Sequence, residues 1–325
     1  MNYIGSKVKL SQWLKEEIEE FVGNDLSEKV FCDMFAGTGT VGRTFKRDVK
    51  RVISNDLEYY SYVLNKNYVE NSTCIKDAQI YIDELNKLPL IDNGFIYTHY
   101  CKGSGSNREY FSDANGQKID TIRTKIQEYK ETQKIDDNTY YFLLASLVES
   151  ADRVANTASV YGAFLKNLKP LALKELVLKP AHFEESQNKH IVYNKDSNEL
   201  IHEISGDILY LDPPYNQRQY GANYHILNTI TLYDNFEPQG KTGLRDYKRS
   251  SYAKKKRVHV SFEELIQNAQ FKYIFLSYNN NGLMSKEDVK SIMSKYGKYS
   301  LSKKEYYGFN KIKTFEYLHV LEKKI

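Results

Sequence analysis

Leu10, Trp13, Leu14, Ile18 and Phe21 fall three or four positions apart, and the pattern stops at Gly23. That spacing predicts an amphipathic helix over SKVKLSQWLKEEIEEFVG. The period then changes. VFCDMF (Val30 to Phe35) predicts a short buried strand, GTGTVGRTFK a glycine turn entering a helix, RVISND (Arg51 to Asp56) a second strand, and LEYYSYVLNKNYVEN a second helix. Strand, helix, strand, helix is the signature of a parallel sheet covered by helices.

From about Thr73 to Glu184 the pattern is helical, with spaced apolar residues in IDTIRTKIQEYK and NTYYFLLASLVESADRVANT. The polar, glycine-containing KGSGSNREYFSDANGQK predicts a loop between flanking segments. Such a stretch fits no simple α/β repeat and reads as a helical insertion (73–184) in a domain formed by 1–72 and 185–325. Strand signals return with HIVYNKD (His190 to Asp196) and DILYLD (Asp207 to Asp212), separated by a short helix in SNELIHEI. A helix near Asn223 to Tyr233, a buried strand in KYIFLSY (Lys272 to Tyr278) and a helix in SKEDVKSIMSKYG follow. KYSLSKKEYYGF and TFEYLHVLEK then predict a closing antiparallel pair.

Composition narrows the class. The 325 residues are 27% charged, and no apolar run reaches the length of a membrane span. MNYIGSKVKL lacks the apolar core and cleavage site of a secretory signal, so the expected location is the cytoplasm and no membrane partner is expected. Cys32, Cys74 and Cys101 are too few and too widely spaced for a disulfide framework or a zinc site, and no metal is expected. The net charge of +4 is modest, but KTGLRDYKRSSYAKKKR sets Lys241, Arg245, Lys248, Arg249, Lys254, Lys255, Lys256 and Arg257 against the single acid Asp246. That run is either a solvated basic loop or a contact for a polyanion. The 28 tyrosines reflect a compositional bias or a supply of rings for stacking on nucleobases.

Two motifs carry chemistry. DMFAGTGTVG places Gly37, Gly39 and Gly42 between a strand and a helix, and Asp56 ends the next strand. Glycines there let the backbone approach a nucleotide-like ligand while the acid accepts from ribose hydroxyls. A pyrophosphate would be repelled by Asp33 just before the turn, whereas S-adenosylmethionine offers Asp33 an amino group and carries no phosphate. In ILYLDPPYNQRQY, Pro213 and Pro214 make the chain leave the sheet rigidly, so Asp212 and neighbouring carbonyls project from the strand's carboxyl end. The Asp212 carboxylate and the Pro213 carbonyl form an acceptor pair for a planar exocyclic amine. Tyr215 offers a face for the base ring, a contact of about 1–3 kcal/mol.

Tyr3-Ile4-Gly5-Ser6-Lys7, the run DMFAGTGTV from Asp33 to Val41, Asn55-Asp56 and Asp212-Pro213-Pro214-Tyr215 occur in that order. This arrangement resembles the D12 class of DNA adenine-N6 methyltransferases, the Dam-like enzymes in their alpha order. Weaker echoes run from Arg108 to Arg123, Asp152 to Lys166 and Arg218 to Ile230, so the resemblance covers nearly the whole chain. It implies a Rossmann-like, S-adenosylmethionine-dependent α/β sheet with an inserted mostly helical region that contacts the target DNA. By the same resemblance Tyr3, Phe35, Gly37, Thr38 and Gly39 line the cofactor, Lys7 meets its methionine carboxylate, Asp33 its amino group, Asp56 its ribose and Asp196 its adenine. Asp212 to Tyr215 then bind an adenine flipped out of duplex DNA.

Arg218 and Tyr220, close to Tyr215, and the bases Lys241, Arg245, Lys248, Arg249, Lys254, Lys255 and Lys256 are candidate DNA contacts. Three rivals remain: the same chemistry on the N4 amine of cytosine, where serine more usually stands at the Asp212 position; an NAD-dependent oxidoreductase using the glycine turn; and a DNA-binding regulator on an inactive methylase fold. A cognate restriction endonuclease is compatible with the resemblance without being required, and the oligomeric state is not legible.

Overall fold

The computed structural model describes residues 5–307 and 313–324. The chain forms two compact units, one of Lys7–Leu57, Glu184–Gln219 and Lys248–Ile325 and the other of Met1–Ser6, Glu58–Phe183 and Tyr220–Tyr247. The helical unit thus takes in residues 58–72 and 220–247 as well as nearly all of 73–184. No helix among the described residues is long and apolar enough to cross a membrane.

The first unit is built on seven strands: β1 (Val30–Asp33), β2 (Arg51–Asn55), β3 (Ile191–Tyr193), β4 (Ser205–Leu211), β5 (Gln270–Asn279), β6 (Gly297–Tyr307) and β7 (Lys313–Lys323). They lie in the order β3-β2-β1-β4-β5-β7-β6, with the first five parallel and β7 antiparallel to both β5 and β6. The parallel sheet and its closing antiparallel pair are therefore as the apolar runs predicted, and the Rossmann-like α/β architecture is as the resemblance implied. Chain order runs outward from β1 to β3 on one side and from β4 to β5 on the other, so β1 and β4 flank the switch point where ligands bind in open α/β sheets.

Buried parallel strands read as nearly continuous apolar runs, and Ile208, Leu209, Tyr210 and Leu211 of β4 are all buried. Helix Ser11–Val22 buries Trp13, Leu14 and Ile18, the stripe its sequence announced. Helix Val258–Asn268 buries Phe262, Leu265 and Ile266 in a core shared with Leu209, Leu211, Ile274 and Leu276 of the central strands.

The helical unit has its own core, in which tyrosine is a major building block. Tyr60, Tyr100, Tyr110, Tyr161 and Tyr224 are fully buried. A buried phenol needs a partner for its hydroxyl. Tyr110 donates to the Tyr161 carbonyl at 2.7 Å, Tyr100 to the Gly243 carbonyl at 2.7 Å and Tyr161 to Asp152 at 2.9 Å. These rings serve packing rather than a stacking surface for bases.

One predicted loop is partly helix. Residues 102–118 read as irregular, yet helix Asp113–Glu131 begins inside them, with Ser112 Oγ accepting from the Asn115 amide at its N-terminus. Gly116, one of the glycines in that segment, lies in the first turns of this helix. Gly116 is there for proximity: a Cβ on it would lie 2.3 Å from Cys101 Sγ.

Gly116→Ala should therefore destabilise the protein by about 1–3 kcal/mol, the usual effect of overpacking a tight core site. Cys101→Ala in the same chain should recover part of the loss. Denaturant unfolding of the two single variants and the double variant checks the coupling, and strictly additive effects would refute the close approach as its origin.

Candidate functional site

The register of β1 against β4 sets Asp33 beside Tyr210, so the turns that follow both strands leave the same edge of the sheet. Beyond β1 the backbone stays pinned. Met34 donates to the Tyr210 carbonyl at 3.1 Å and Ala36 to the Asn55 carbonyl at 2.9 Å. Asn55 donates through Nδ2 to the carbonyls of Met34 and Lys195, at 3.2 and 3.1 Å, and accepts from the Lys195 amide at 3.0 Å. This amide side chain clamps the ends of β1, β2 and β3 together.

Gly37 and Gly39 sit at φ +52° and +77°, a backbone region that side chains with a Cβ rarely adopt. Asp56 accepts from the Gly37 amide at 2.8 Å, which fixes the glycine turn against the end of β2. Asp33 accepts from the Gly42 amide at 3.0 Å through Oδ2. Its other oxygen, Oδ1, is buried and makes no hydrogen bond among the described residues.

An ionised carboxylate with an unsatisfied oxygen is costly to bury. Burial pushes the Asp33 carboxyl up to about 7, with the Gly42 amide opposing, Asp212 and Asp56 adding repulsion and Lys7 relieving part of it. The donor set fits S-adenosylmethionine: an orphaned buried acceptor for its ammonium, a glycine turn that admits close backbone approach, and a carboxylate at the next strand end for its ribose.

At the end of β4, Pro213 is buried while Asp212, Pro214 and Tyr215 remain partly accessible. The Tyr215 carbonyl accepts from the Leu283 amide at 2.9 Å, holding the tetrapeptide to the turn after β5. Lys7 lies against Asp212 Oδ1 at 3.0 Å and against Glu316 Oε1 at 3.1 Å, and its side chain is 8% exposed. Ser277 Oγ on β5 donates to the same Glu316. Burial works against the Lys7 charge, but Asp212 and Glu316 outweigh it and raise the ammonium well above its ordinary value. Asp212 moves up to about 6, through burial first, with Lys7 opposing and Glu316 reinforcing. The Lys7 ammonium, expected at a methionine carboxylate, is thus engaged with two carboxylates of the chain itself.

The remaining candidates divide. Phe35 packs the edge of its ring on Tyr252, centroids 4.9 Å apart, and Tyr252 donates to Asn198 at 2.8 Å. Thr38 and Thr40 share a hydroxyl contact at 3.1 Å in the glycine turn. Asp196 caps helix Ser197–Leu200 by accepting from the Asn198 amide at 2.8 Å, and its side chain is partly exposed. Tyr3 lies outside the described residues.

Arg218, Lys248, Arg249, Lys254, Lys255 and Lys256 are exposed on the sheet unit; Tyr220, half-buried and stacked on Tyr224, belongs to the helical unit with exposed Lys241. Arg245, also of the helical unit, makes a two-pronged ion pair with Asp234 at 2.9 and 2.8 Å and lies over the Phe236 ring. Its charge is already matched, unlike that of a loose surface arginine. Glu316 and Ser277 carry no signal in the sequence that singles them out, and Asn55 is marked only as the neighbour of Asp56.

Residues 3–292 match the model of the family described as D12 class N6 adenine-specific DNA methyltransferase. The chain is 61% identical over 333 aligned positions to the Type II methyltransferase M.NlaIII of Neisseria lactamica, covering 99% of each protein. It is 40% identical over 299 positions to the Type II methyltransferase M.CviAII of Paramecium bursaria Chlorella virus 1, covering 92% of this chain and 89% of the relative. Against the Type II methyltransferase M.FokI of Planomicrobium okeanokoites it is 41% identical over 310 positions, covering 91% of this chain and 47% of that longer protein.

The raised Asp33 carboxyl makes stability depend on pH. The folded chain holds this proton up to about pH 7 while the unfolded chain releases it near the ordinary value of 3.8, so folded protein binds more protons across that window and stability falls as pH rises through it. Asp33→Asn should remove that fall and stabilise the ligand-free protein above about pH 7 by something on the order of 1–4 kcal/mol. Denaturant unfolding across pH checks it; a variant that tracks the parent protein at every pH would refute the assignment.

Proposed function

Because the chain belongs to the D12 class of N6 adenine-specific DNA methyltransferases, we propose that Asp212, Pro213, Pro214 and Tyr215 are the tetrapeptide that receives the target adenine, and that Asp33, Asp56 and the Gly37–Gly39 turn hold the methyl donor. The enzyme is a site-specific DNA methyltransferase that uses S-adenosylmethionine. The observation that carries the assignment of residues is the pairing of β1 with β4. It brings a buried carboxylate with an orphaned oxygen and an acid held by two prolines to neighbouring strand ends.

S-adenosylmethionine supplies, when bound, a methyl group on a sulfonium, whose carbon–sulfur bond breaks with its electron pair left on sulfur. The chain's own part begins with the exocyclic amine. Asp212 and the Pro213 carbonyl accept its two N–H groups, which draws the nitrogen lone pair out of conjugation with the ring and toward the methyl carbon. When the new nitrogen–carbon bond has formed, the nitrogen carries one proton too many. Asp212, raised to about 6 and so ionised at neutral pH yet basic for a carboxylate, is suited to take it. Tyr215 stacks on the everted base and offsets part of the few kcal/mol that unpairing requires.

Around the donor, Asp33 Oδ1 accepts from the ammonium, Asp56 from the ribose, and Phe35 and Thr38 line the cofactor, with Asp196 toward its adenine. Two of the three N–H donors of Lys7 face Asp212 and Glu316, leaving one for the methionine carboxylate. The exposed bases Lys241, Lys248, Arg249 and Lys254 to Lys256, together with Arg218 and Tyr220, are assigned to duplex DNA, with the phosphates as the principal partners. Arg245 is assigned a lesser share because Asp234 already matches its charge.

We assign target recognition to the helical unit. The Type II names of the relatives support a restriction endonuclease as cellular counterpart, and DNA as substrate supports work in the cytoplasm.

Asp212→Ala should remove methylation of duplex DNA by labelled donor while leaving thermal unfolding close to the parent, and parental turnover would refute the catalytic assignment. Asp56→Ala should chiefly weaken donor binding, read by calorimetry. Replacing Lys254, Lys255 and Lys256 by Ala should weaken DNA binding at low salt and flatten the slope of log affinity against log salt by up to about 0.9 for each phosphate that a lysine no longer neutralises. An unchanged slope would remove this segment from the interface.

A further inference from the structure

Glu316 is an acid that stability alone does not require. It is 3% exposed on β7, in register with Asn279 near the end of β5, and it accepts from Ser277 Oγ while its Oε1 lies 3.1 Å from Lys7. Lys7 already has a carboxylate partner in Asp212, and one buried ammonium is matched by one buried acid. A second acid on the same cation leaves the cluster with excess negative charge, and burying a charge is costly unless it is paired.

From Lys7, Glu316 and Asp212 we infer that Glu316, acting through Lys7, is a positioning residue for the catalytic carboxylate. The inference rests on Asp212 being that carboxylate.

The geometry assigns each group a part. Ser277 on β5 fixes the Glu316 carboxylate, and Glu316 fixes the Lys7 ammonium from the β7 side. Lys7 then takes Oδ1 of Asp212, at 3.0 Å, and turns Oδ2 toward the incoming amine. Sharing the ammonium between two acids also keeps it from quenching Asp212 as an acceptor. Were Glu316 neutral, the whole Lys7 charge would bear on Asp212, which would bind the amine and its released proton more weakly.

The ionisable groups around Asp212 are Lys7, Glu316 from β7, Tyr210 from β4, Asp33 from β1 and Tyr215. Of these only Lys7 is cationic, so the balance on Asp212 is set by how that one charge is divided.

Full-length protein carrying Glu316→Gln, Ser277→Ala or Asp212→Ala tests this. Single-turnover methylation of duplex DNA is followed against pH, and S-adenosylmethionine affinity is measured by calorimetry. Glu316→Gln is expected to lower the rate roughly ten-fold, a fraction of the about 10²–10⁴-fold that a positioned acid–base group contributes. It should also move the acid limb of the pH profile to lower pH, because loss of the neighbouring negative charge favours ionised Asp212, and leave donor affinity within about two-fold. Ser277→Ala should shift the limb in the same direction by less.

A parental rate and acid limb in Glu316→Gln would overturn the inference, as would a lower rate with the limb unmoved and donor affinity lost in proportion, the mark of a structural role alone. If Glu316→Gln does not fold, an unshifted limb in Ser277→Ala overturns it and a shifted one supports it. Asp212→Ala separates the two levels. An inactive Asp212→Ala beside an unaffected Glu316→Gln confines the failure to Glu316, whereas an active Asp212→Ala overturns the catalytic assignment and this inference with it.

Discussion

Among the described residues, Asp33, Asp212 and Glu316 gather near one ammonium, that of Lys7, at the edge of the sheet where β1 and β4 end, and Asp56 lies close to Asp33. Four acids and one base in a partly dry place are held there by the surrounding fold and not by their mutual attraction. Backbone amides of Gly37 and Gly42 and the hydroxyl of Ser277 satisfy part of the excess, and burial, reinforced by neighbouring acids, raises both Asp33 and Asp212. The rest is a standing demand for positive charge. On the proposed reading a sulfonium that also carries an ammonium meets it.

Parallel pairing is what makes such a gathering possible. Neighbouring parallel strands begin and end at the same edges, so residues far apart in sequence that terminate strands become neighbours. Register does the rest. Asp33 pairs with Tyr210, and Asp212 follows two residues on, so the two acids come from the ends of adjacent strands without either loop having to fold back. The antiparallel return of β7 adds Glu316 to the same edge as the strand begins, opposite the end of β5 where Ser277 and Asn279 lie. Each acid is thus positioned by backbone hydrogen bonding of the sheet, the most rigid part of the molecule, and this precision suits an in-line transfer.

Legibility in the sequence followed punctuation. Asp33, Asp56 and Asp212 could be picked out because apolar strands end at them and glycine or proline follows, signals that local chemistry enforces. Glu316 carried no such mark: in TFEYLHVLEK neither glycine nor proline follows it, and only its burial against Ser277 and Lys7 singles it out. Asn55 looked like an appendage of Asp56 until its side chain proved to tie β1, β2 and β3 together. The start of helix Asp113–Glu131 was hidden because the segment around it is polar and contains glycines, yet Ser112 caps the helix and Gly116 sits inside it, close against Cys101. Tyrosine count was equally ambiguous, since a ring that stacks on bases and a ring that fills a core are the same residue until burial distinguishes them.

The negative edge also constrains how a polyanion can be approached. Phosphates are repelled by Asp33, Asp212 and Glu316, so the contacts that hold DNA on the proposed reading must flank the acids and leave to them only an uncharged base. The segment after Ser250 has this form. Tyr252 is buried to 2% exposure, edge-on to Phe35 and bonded to Asn198, and it anchors the short turn Ser251–Ala253 beside the end of β1. Lys254, Lys255 and Lys256 follow at once, all exposed. A buried aromatic anchor therefore carries a strongly cationic stretch on the same rigid unit as the acids. The net charge of +4 conceals this arrangement because the two signs nearly cancel in the total; on the proposed reading, separating them in space lets one surface attract the duplex while its centre admits only a base that has left the helix.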